Sequence, residues 1–129
     1  MTVDRSDAEG LAAPPGYTHV AVASGATLVF TAGAVPIDAD GELVGPGDIE
    51  AQTEQVLANL LRQLEAGGAG PDDVVKTTVY VASDHDDMIR VWEVVQRSPI
   101  ASAPSTLLGA ALLGYTGQLV EIEAVAVVG

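Results

Sequence analysis

Two short runs of β-branched and apolar residues lie near the start of the chain. Residues Thr18–Ala23 and Thr27–Ala32 are separated by a Ser-Gly-Ala step, and this spacing predicts a β-hairpin with a short glycine-containing loop. The preceding residues end in two alanines and two prolines, which disfavour regular structure. We therefore expect residues 1–15 to be an N-terminal tail or an edge extension, and residues 16–129 to form one domain.

Two later stretches have the apolar spacing of amphipathic helices, with apolar residues at every third or fourth position. The first stretch begins at Asp48, a residue type favoured as an N-cap, and is expected to stop at Gly67. The second begins near Asp84 and ends before Pro99. Its apolar stripe consists of Met88, Val91, Trp92 and Val95.

Three further runs predict strands. Asp73–Val81 is rich in β-branched residues and nearly continuous, as expected for a strand that is covered on at least one side. Ser105–Leu113 and Gln118–Val128 flank a Gly-Tyr-Thr-Gly turn and predict the last two strands. The resulting order, β-β-α-β-α-β-β, predicts an α+β domain with two helices on one face of a mixed sheet.

Composition and charge exclude several classes of function. The chain has 129 residues, no cysteine, 18 Asp and Glu against 5 Lys and Arg, and a formal net charge of −13. The lack of cysteine excludes disulfides, thiolate nucleophiles and zinc–thiolate sites. The negative charge disfavours nucleic acid and anionic membrane surfaces as partners. Without a signal peptide or a long apolar segment, the sequence predicts a soluble cytoplasmic protein.

Two carboxylates in the last predicted strand are candidates for chemistry. Glu121 and Glu123 are two residues apart, so both should lie on the same face of an otherwise apolar strand. Burial of a lone carboxylate is costly. Either this is an edge strand with one solvated face, or a glutamate faces a polar cavity or a subunit seam, where it could position water or move protons.

Other candidates are less specific. His19 at the start of the first strand could be an edge residue or a pocket donor, and Trp92 could belong to the core or to a pocket wall. Ala32 and Gly33 close the second strand, where small residues allow a ligand to approach the backbone. His85 lies in an acidic run that is typical of a solvated helix start. No metal site and no cofactor are predicted.

Three strings of this sequence resemble the reactive-intermediate deaminase (Rid) family, also called the YjgF-like family. The strings are LVFTAGAVPID at 28–38, DVVKTTVYV at 73–81 and VEIEAVAV at 120–127. They occur in the order typical of the family, and the resemblance extends from about Gly16 to the C-terminus. It implies a chorismate-mutase-like protomer in a homotrimer, with three ligand pockets at the seams between subunits. The activity it implies is hydrolysis of reactive enamines and imines to a carbonyl compound and ammonia.

The resemblance also assigns expected roles to individual residues. Glu121 matches the glutamate that orients the attacking water, and Gly33 matches a backbone glycine of the pocket. His19 is at a position where tyrosine is usual and is expected to assist as donor or base. Ala32 replaces a serine, and Trp92 replaces a polar pocket residue. Ser105 and Tyr115 complete the residues expected to contact the substrate.

One departure from the family pattern bears directly on the substrate. Active deaminases of this family bind the substrate carboxylate with an arginine before the penultimate strand, and Pro104 is at that position here. Proline has neither a charge nor a hydrogen-bond donor, so it cannot replace a guanidinium–carboxylate contact. We therefore expect a ligand that is larger or less acidic than a short 2-imino acid.

Three hypotheses follow. The first is a Rid-type imine or enamine hydrolase with altered substrate specificity. The second is a non-catalytic trimer that binds a small metabolite or a protein partner in the same clefts. The third is a diverged biosynthetic enzyme that uses the same inter-subunit cleft for other chemistry. Cleavage of RNA, which has been ascribed to some members of the family, is disfavoured by the five basic residues in 129.

Overall fold

The computed structural model describes residues 2–24 and 27–129. Within them, the helices are α1 (Ile49–Ala66) and α2 (His85–Gln96), and a single 3₁₀ turn lies at Pro71–Asp73. The strands are β1 (Thr2–Ser6), β2 (Val20–Ser24), β3 (Thr27–Phe30), β4 (Val74–Val81), β5 (Ser105–Gly109) and β6 (Val120–Val128).

The main sheet has four strands in the order β3-β6-β4-β5. Strands β4 and β5 are parallel, whereas β6 is antiparallel to both β3 and β4. Side chains alternate along β6: Val120, Ile122 and Ala124 are buried, whereas Glu121 and Glu123 are half-buried on the other face. Helices α1 and α2 pack on the buried face of a mixed sheet. The predicted fold class and, from β2 onward, the predicted order of elements are confirmed.

The core lies between the two helices and the sheet. Buried residues recur at helical spacing in both helices and at every second position in the strands. The predicted N-cap is also confirmed, because Asp48 accepts a hydrogen bond from the amide of Ala51 at 3.0 Å. Asp84 caps α2 in the same way and accepts a hydrogen bond from the amide of Asp87 at 2.8 Å. The central core residues are Val56, Leu60, Leu64, Val79, Val91, Val95 and Ile122.

Strands β2 and β3 pair differently from the predicted hairpin. In the described residues β2 pairs with β1 and β3 pairs with β6, while the predicted turn at residues 25 and 26 lies outside them. Strand β3 pairs with β6, an apolar strand from the far end of the sequence, and β2 pairs with β1. Strand β1 lies within residues 1–15, and Arg5 anchors it by donating to the carbonyls of Asp72 and Val74 at 2.8 and 2.9 Å.

The penultimate strand is shorter than predicted. We expected it to extend to Leu113, but β5 ends at Gly109. Its partner in the sheet is β4, which ends at Val81, directly opposite Gly109. No described helix is long and apolar enough to cross a membrane.

Candidate functional site

The sheet face turned away from the helices, which we call the open face, carries both candidate carboxylates. Glu121 and Glu123 are half-buried on this face, as the spacing in the sequence predicts. Tyr80 is paired with Glu121 in the register between β4 and β6. Two exposed apolar side chains of β3, Leu28 and Phe30, lie opposite Val127 and Val125 of β6. The face therefore combines carboxylates with exposed apolar side chains.

Contacts on two sides hold the carboxylate of Glu121. Its Oε1 accepts a hydrogen bond from Nε2 of Gln118 at 3.0 Å. Its Oε2 lies against Gly33: a Cβ built on that glycine would be only 2.1 Å from this oxygen. Because only glycine leaves this space free, Gly33 and Glu121 form a fitted pair. Gly33 follows β3, and the adjacent Ala34 bridges to Ile122 of β6.

Glu123 is engaged in a different contact. It accepts a hydrogen bond from the hydroxyl of Tyr80. This hydrogen bond raises the pKa of Tyr80 above its usual value of 10.0, and partial burial and the charges of Glu123 and Glu121 act in the same direction. Tyr80 is therefore a neutral donor at physiological pH, and Glu123 is a structural acceptor. Within the described residues neither glutamate accepts a hydrogen bond at Oε2, and in Glu121 this oxygen lies against Gly33.

A second group of candidates lies on the helix side of the sheet, at its β5 edge. Trp92 of α2, Ser105 and Leu107 of β5, and Pro15 and Tyr17 line a cavity of about 290 Å³. The Trp92 indole donates to the carbonyl of Pro15 at 2.9 Å and meets the ring of Tyr17 edge to face, with ring centroids 5.9 Å apart. Trp92 thus lines a cavity while part of its ring packs on the core. We call these five residues the aromatic cluster.

His19 lies beside this cluster and not beside Glu121. Its Nδ1 accepts a hydrogen bond from the amide of Ala8 at 3.0 Å, so only Nε2 is available to a ligand. Its ring packs edge to face on Tyr17, with centroids 6.2 Å apart. Pro104 immediately precedes β5, and its carbonyl accepts a hydrogen bond from the amide of Thr77 at 3.0 Å.

The other predicted residues lie near the two groups. The carbonyl of Ala32 accepts a hydrogen bond from Gln63 at 3.2 Å, and the amide of Tyr115 donates to Gln118 at 3.1 Å. Sequence reasoning missed Gln118, Tyr17 and Leu107. Only Tyr17 had a detectable signal, as an aromatic residue two positions before His19; the other two are evident only from tertiary contacts.

The predicted site residues therefore form two groups in one chain. The first group lies on the sheet face turned away from the helices, or at the end of that face, and consists of Glu121, Gly33 and Tyr115. The second group belongs to the aromatic cluster and consists of Trp92 and Ser105. The cavity of the aromatic cluster is lined by none of Glu121, Gly33 and Tyr115. The described residues include no group of three or more His, Asp or Glu side chains placed to hold a metal ion.

The contact between Gly33 and Glu121 predicts the effect of a single methyl group. We expect Gly33→Ala to push the Glu121 carboxylate away from Gln118 and to lower the free energy of unfolding by about 1–3 kcal/mol, as overpacking does. A crystal structure and urea unfolding of the variant measure the two effects. Gly70→Ala is the control, because the nearest atom to its Cβ is 3.9 Å away. An undisplaced Glu121 in the Gly33 variant would contradict the fitted contact.

Comparisons with known proteins agree with the fold. The chain is 39% identical over 114 residues to a RutC family protein of Pyrococcus horikoshii, covering 88% of each chain. It is 36% identical over 102 residues to the 2-iminobutanoate/2-iminopropanoate deaminase of Mus musculus, covering 78% of this chain and 74% of that one. The crystal structure of the Rid family protein YyfB of Yersinia pestis superposes with a TM-score of 0.87 at 31% identity, over 99% of this chain and 100% of that one.

The family assignment follows from these similarities together with a family profile. The profile described as Endoribonuclease L-PSP matches residues 8–128, nearly the whole chain. The match includes β2 to β6, both helices, Glu121 with its contacts, and the aromatic cluster. The protein belongs to the Endoribonuclease L-PSP family, that is, the YjgF/Rid family.

Proposed function

We propose that the protein hydrolyses a reactive imine or enamine to a carbonyl compound and ammonia, with a substrate that differs from the short 2-imino acids. The observation that carries the proposal is the carboxylate of Glu121, held by Gln118 and Gly33 on an open sheet face. The deaminase activity named for the mouse relative supports the same reaction class.

The reaction needs one water molecule and a group that moves protons. In the proposal, Oε2 of Glu121 accepts a proton from water while the water oxygen bonds to the imine carbon. Glu121 passes this proton to the nitrogen, which gives a neutral carbinolamine. It then moves the proton of the new hydroxyl to the nitrogen, so that the C=O bond forms, the C–N bond breaks and ammonia leaves. The net change is R₂C=NH + H₂O → R₂C=O + NH₃. A positioned carboxylate contributes about 10²–10⁴-fold to such a step.

The complete site is proposed to form between subunits. Glu121 does not line the cavity of the aromatic cluster in its own chain, and the open face carries exposed apolar side chains. Phe30 is 70% exposed and Leu28 is 59% exposed, which is costly for a face left in water. In the proposal three copies pack these faces together, so that Glu121 of one subunit meets Trp92 and His19 of the next.

The aromatic cluster favours a substrate with an apolar group. Its cavity of about 290 Å³ has Trp92, Tyr17 and Leu107 in its wall and no basic side chain. Pro104 cannot pair with a carboxylate, and a chain of net charge −13 repels anions at long range. The same charge disfavours RNA as a substrate, although the family is named Endoribonuclease L-PSP. The expected substrate is an imine without a carboxylate, or with a bulky apolar substituent.

A panel of imines tests this proposal. An amino-acid oxidase supplies 2-imino acids and an amine oxidase supplies imines that lack a carboxylate, each with short and aromatic members. We expect purified protein to accelerate decay and ammonia release, most strongly for aromatic imines without a carboxylate. Heat-denatured protein is the control. Decay at the buffer rate across the whole panel would overturn the proposal.

The loss of the family arginine supports a second candidate, a non-catalytic trimer that binds a small metabolite in the same cleft. Pro104 removes the group that would hold a short 2-imino acid for reaction. This candidate predicts saturable binding of the aromatic compounds of the panel without ammonia release. Binding of their unreactive amine analogues in isothermal titration calorimetry, combined with no ammonia release from the imines, distinguishes it from the hydrolase.

A further inference from the structure

Gln118 is the buried polar side chain nearest to the candidate carboxylate. It is only 4% exposed, although it lies just before β6, at the end of the loop from residue 110 to residue 117. A buried amide is stable only when its donors and acceptor are satisfied. The contacts of Gln118 therefore indicate what its side chain does.

Both N–H groups and the oxygen of this amide form hydrogen bonds, all to residues close to Gln118 in the sequence. Its Nε2 donates to Oε1 of Glu121 and to the carbonyl of Val120, each at 3.0 Å. Its Oε1 accepts from the amide of Tyr115 at 3.1 Å. The backbone amide of Gln118 also donates to the carbonyl of Tyr115 at 3.0 Å. The side chain consequently has one fixed orientation, which also fixes one oxygen of Glu121.

The loop next to Gln118 is held from the other side by a second buried amide. Gln52 of α1 is fully buried; it donates to the carbonyl of Gly117 at 3.0 Å and accepts from the amide of Leu119 at 2.8 Å. The residues on either side of Gln118 are thus anchored to the core helix. An anchored support of this kind can hold a carboxylate within the narrow tolerance that catalysis requires.

We infer that Gln118 is a positioning residue for Glu121: its buried amide fixes Oε1 and leaves Oε2, above Gly33, as the oxygen that faces the substrate. The catalytic part of this inference rests on the proposed function, whereas the structural part does not. The amide also couples Glu121 to the backbone of the loop that carries the exposed side chains of Leu112 and Tyr115. Contacts made by this loop would then influence the carboxylate directly.

The variant Gln118→Glu tests the inference, because the glutamate side chain has nearly the same shape as that of glutamine. It removes both N–H donors and places a second carboxylate beside Glu121, which disfavours ionisation of the pair. The other titratable side chains on this face of β4 and β6 are Glu123, Tyr80 and Lys76, and all three are unchanged. We expect the acid limb of the kcat profile to move to higher pH, and kcat to fall about 10–100-fold with little change in KM. Gln55→Glu is the control, because Gln55 bonds to Asn59 on α1.

An NMR measurement decides the structural part without relying on activity or on a Gln118 variant. In the wild-type protein, the side-chain ¹H–¹⁵N signals of Gln118 should shift as Glu121 titrates, and the shift should be absent in Glu121→Gln but present in Glu123→Gln. Signals that do not respond in the wild type would overturn the inference, as would an unchanged kcat profile in a folded, active Gln118→Glu. If the wild type hydrolyses no imine, the proposed function fails, but the NMR result still decides the role of Gln118.

Discussion

Replacing Glu121 by glutamine should slow imine hydrolysis by about 10²–10⁴-fold, which is the contribution of a positioned general base. Glutamine keeps the shape of the side chain, and its oxygen can still accept the hydrogen bond from Gln118, so the fold should be preserved. What it loses is an oxygen that can take a proton from water. We therefore expect the loss in kcat, with KM nearly unchanged. Initial rates of ammonia release on the best imine of the panel measure it.

Glu123→Gln is the matched control for this change. Glu123 lies on the same face two residues further along β6, but its carboxylate accepts a hydrogen bond from the hydroxyl of Tyr80. Glutamine can still accept that bond, so most of the rate should remain. Equal losses in both variants would indicate a general effect of charge on this face. An unchanged rate in Glu121→Gln would exclude Glu121 as the base.

Replacing Phe30 by glutamate should dissociate the proposed trimer and abolish activity. Phe30 is 70% exposed on the open face and lines a small cavity together with Lys76 and Glu123. In the proposed assembly a carboxylate at this position would be buried with Glu123, and two carboxylates would then face the single cation of the cavity lining, Lys76, which is unfavourable. We expect the wild type to sediment at the mass of three chains and the variant at the mass of one. Imine hydrolysis should fall to the buffer rate, because each proposed site needs two subunits.

Leu11→Glu provides a control with the same change in polarity. Leu11 is 63% exposed but lies in the N-terminal segment, outside the main sheet. This variant should keep the wild-type mass and activity. A wild-type chain that sediments as a monomer, or an active monomeric Phe30→Glu, would contradict a site made between subunits.

Local sequence patterns were sufficient to predict most of the domain. The apolar spacing and caps located both helices, and the two-residue period of Glu121 and Glu123 placed both on one sheet face. These properties depend on neighbours along the chain, where helical and strand periodicity act directly. The strings shared with the YjgF/Rid family added the fold and the importance of Glu121 and Gly33.

Long-range contacts were harder to predict. The pairing of β1 with β2 was missed, because two prolines suggested a tail and because strand pairing depends on partners distant in sequence. Gln118 was missed for a similar reason: a glutamine before a strand is ordinary until its amide is found bonded to Glu121. His19 and Glu121 were expected in one site, and their separation within the chain is evident only from the tertiary fold.

The central claim is that Glu121 of one subunit and the aromatic cluster of another form one hydrolytic site. Co-expression of Glu121→Gln with Trp92→Ala tests it most directly. With random mixing, about a quarter of the interfaces pair a wild-type Glu121 from one subunit with a wild-type Trp92 from the next. Each variant alone should be folded and nearly inactive. We predict that the co-expressed population, shown by native mass spectrometry to contain mixed trimers, recovers imine hydrolysis to about a quarter of the wild-type rate. Mixed trimers with no more activity than the two parents, or a fully active Trp92→Ala, would contradict the claim.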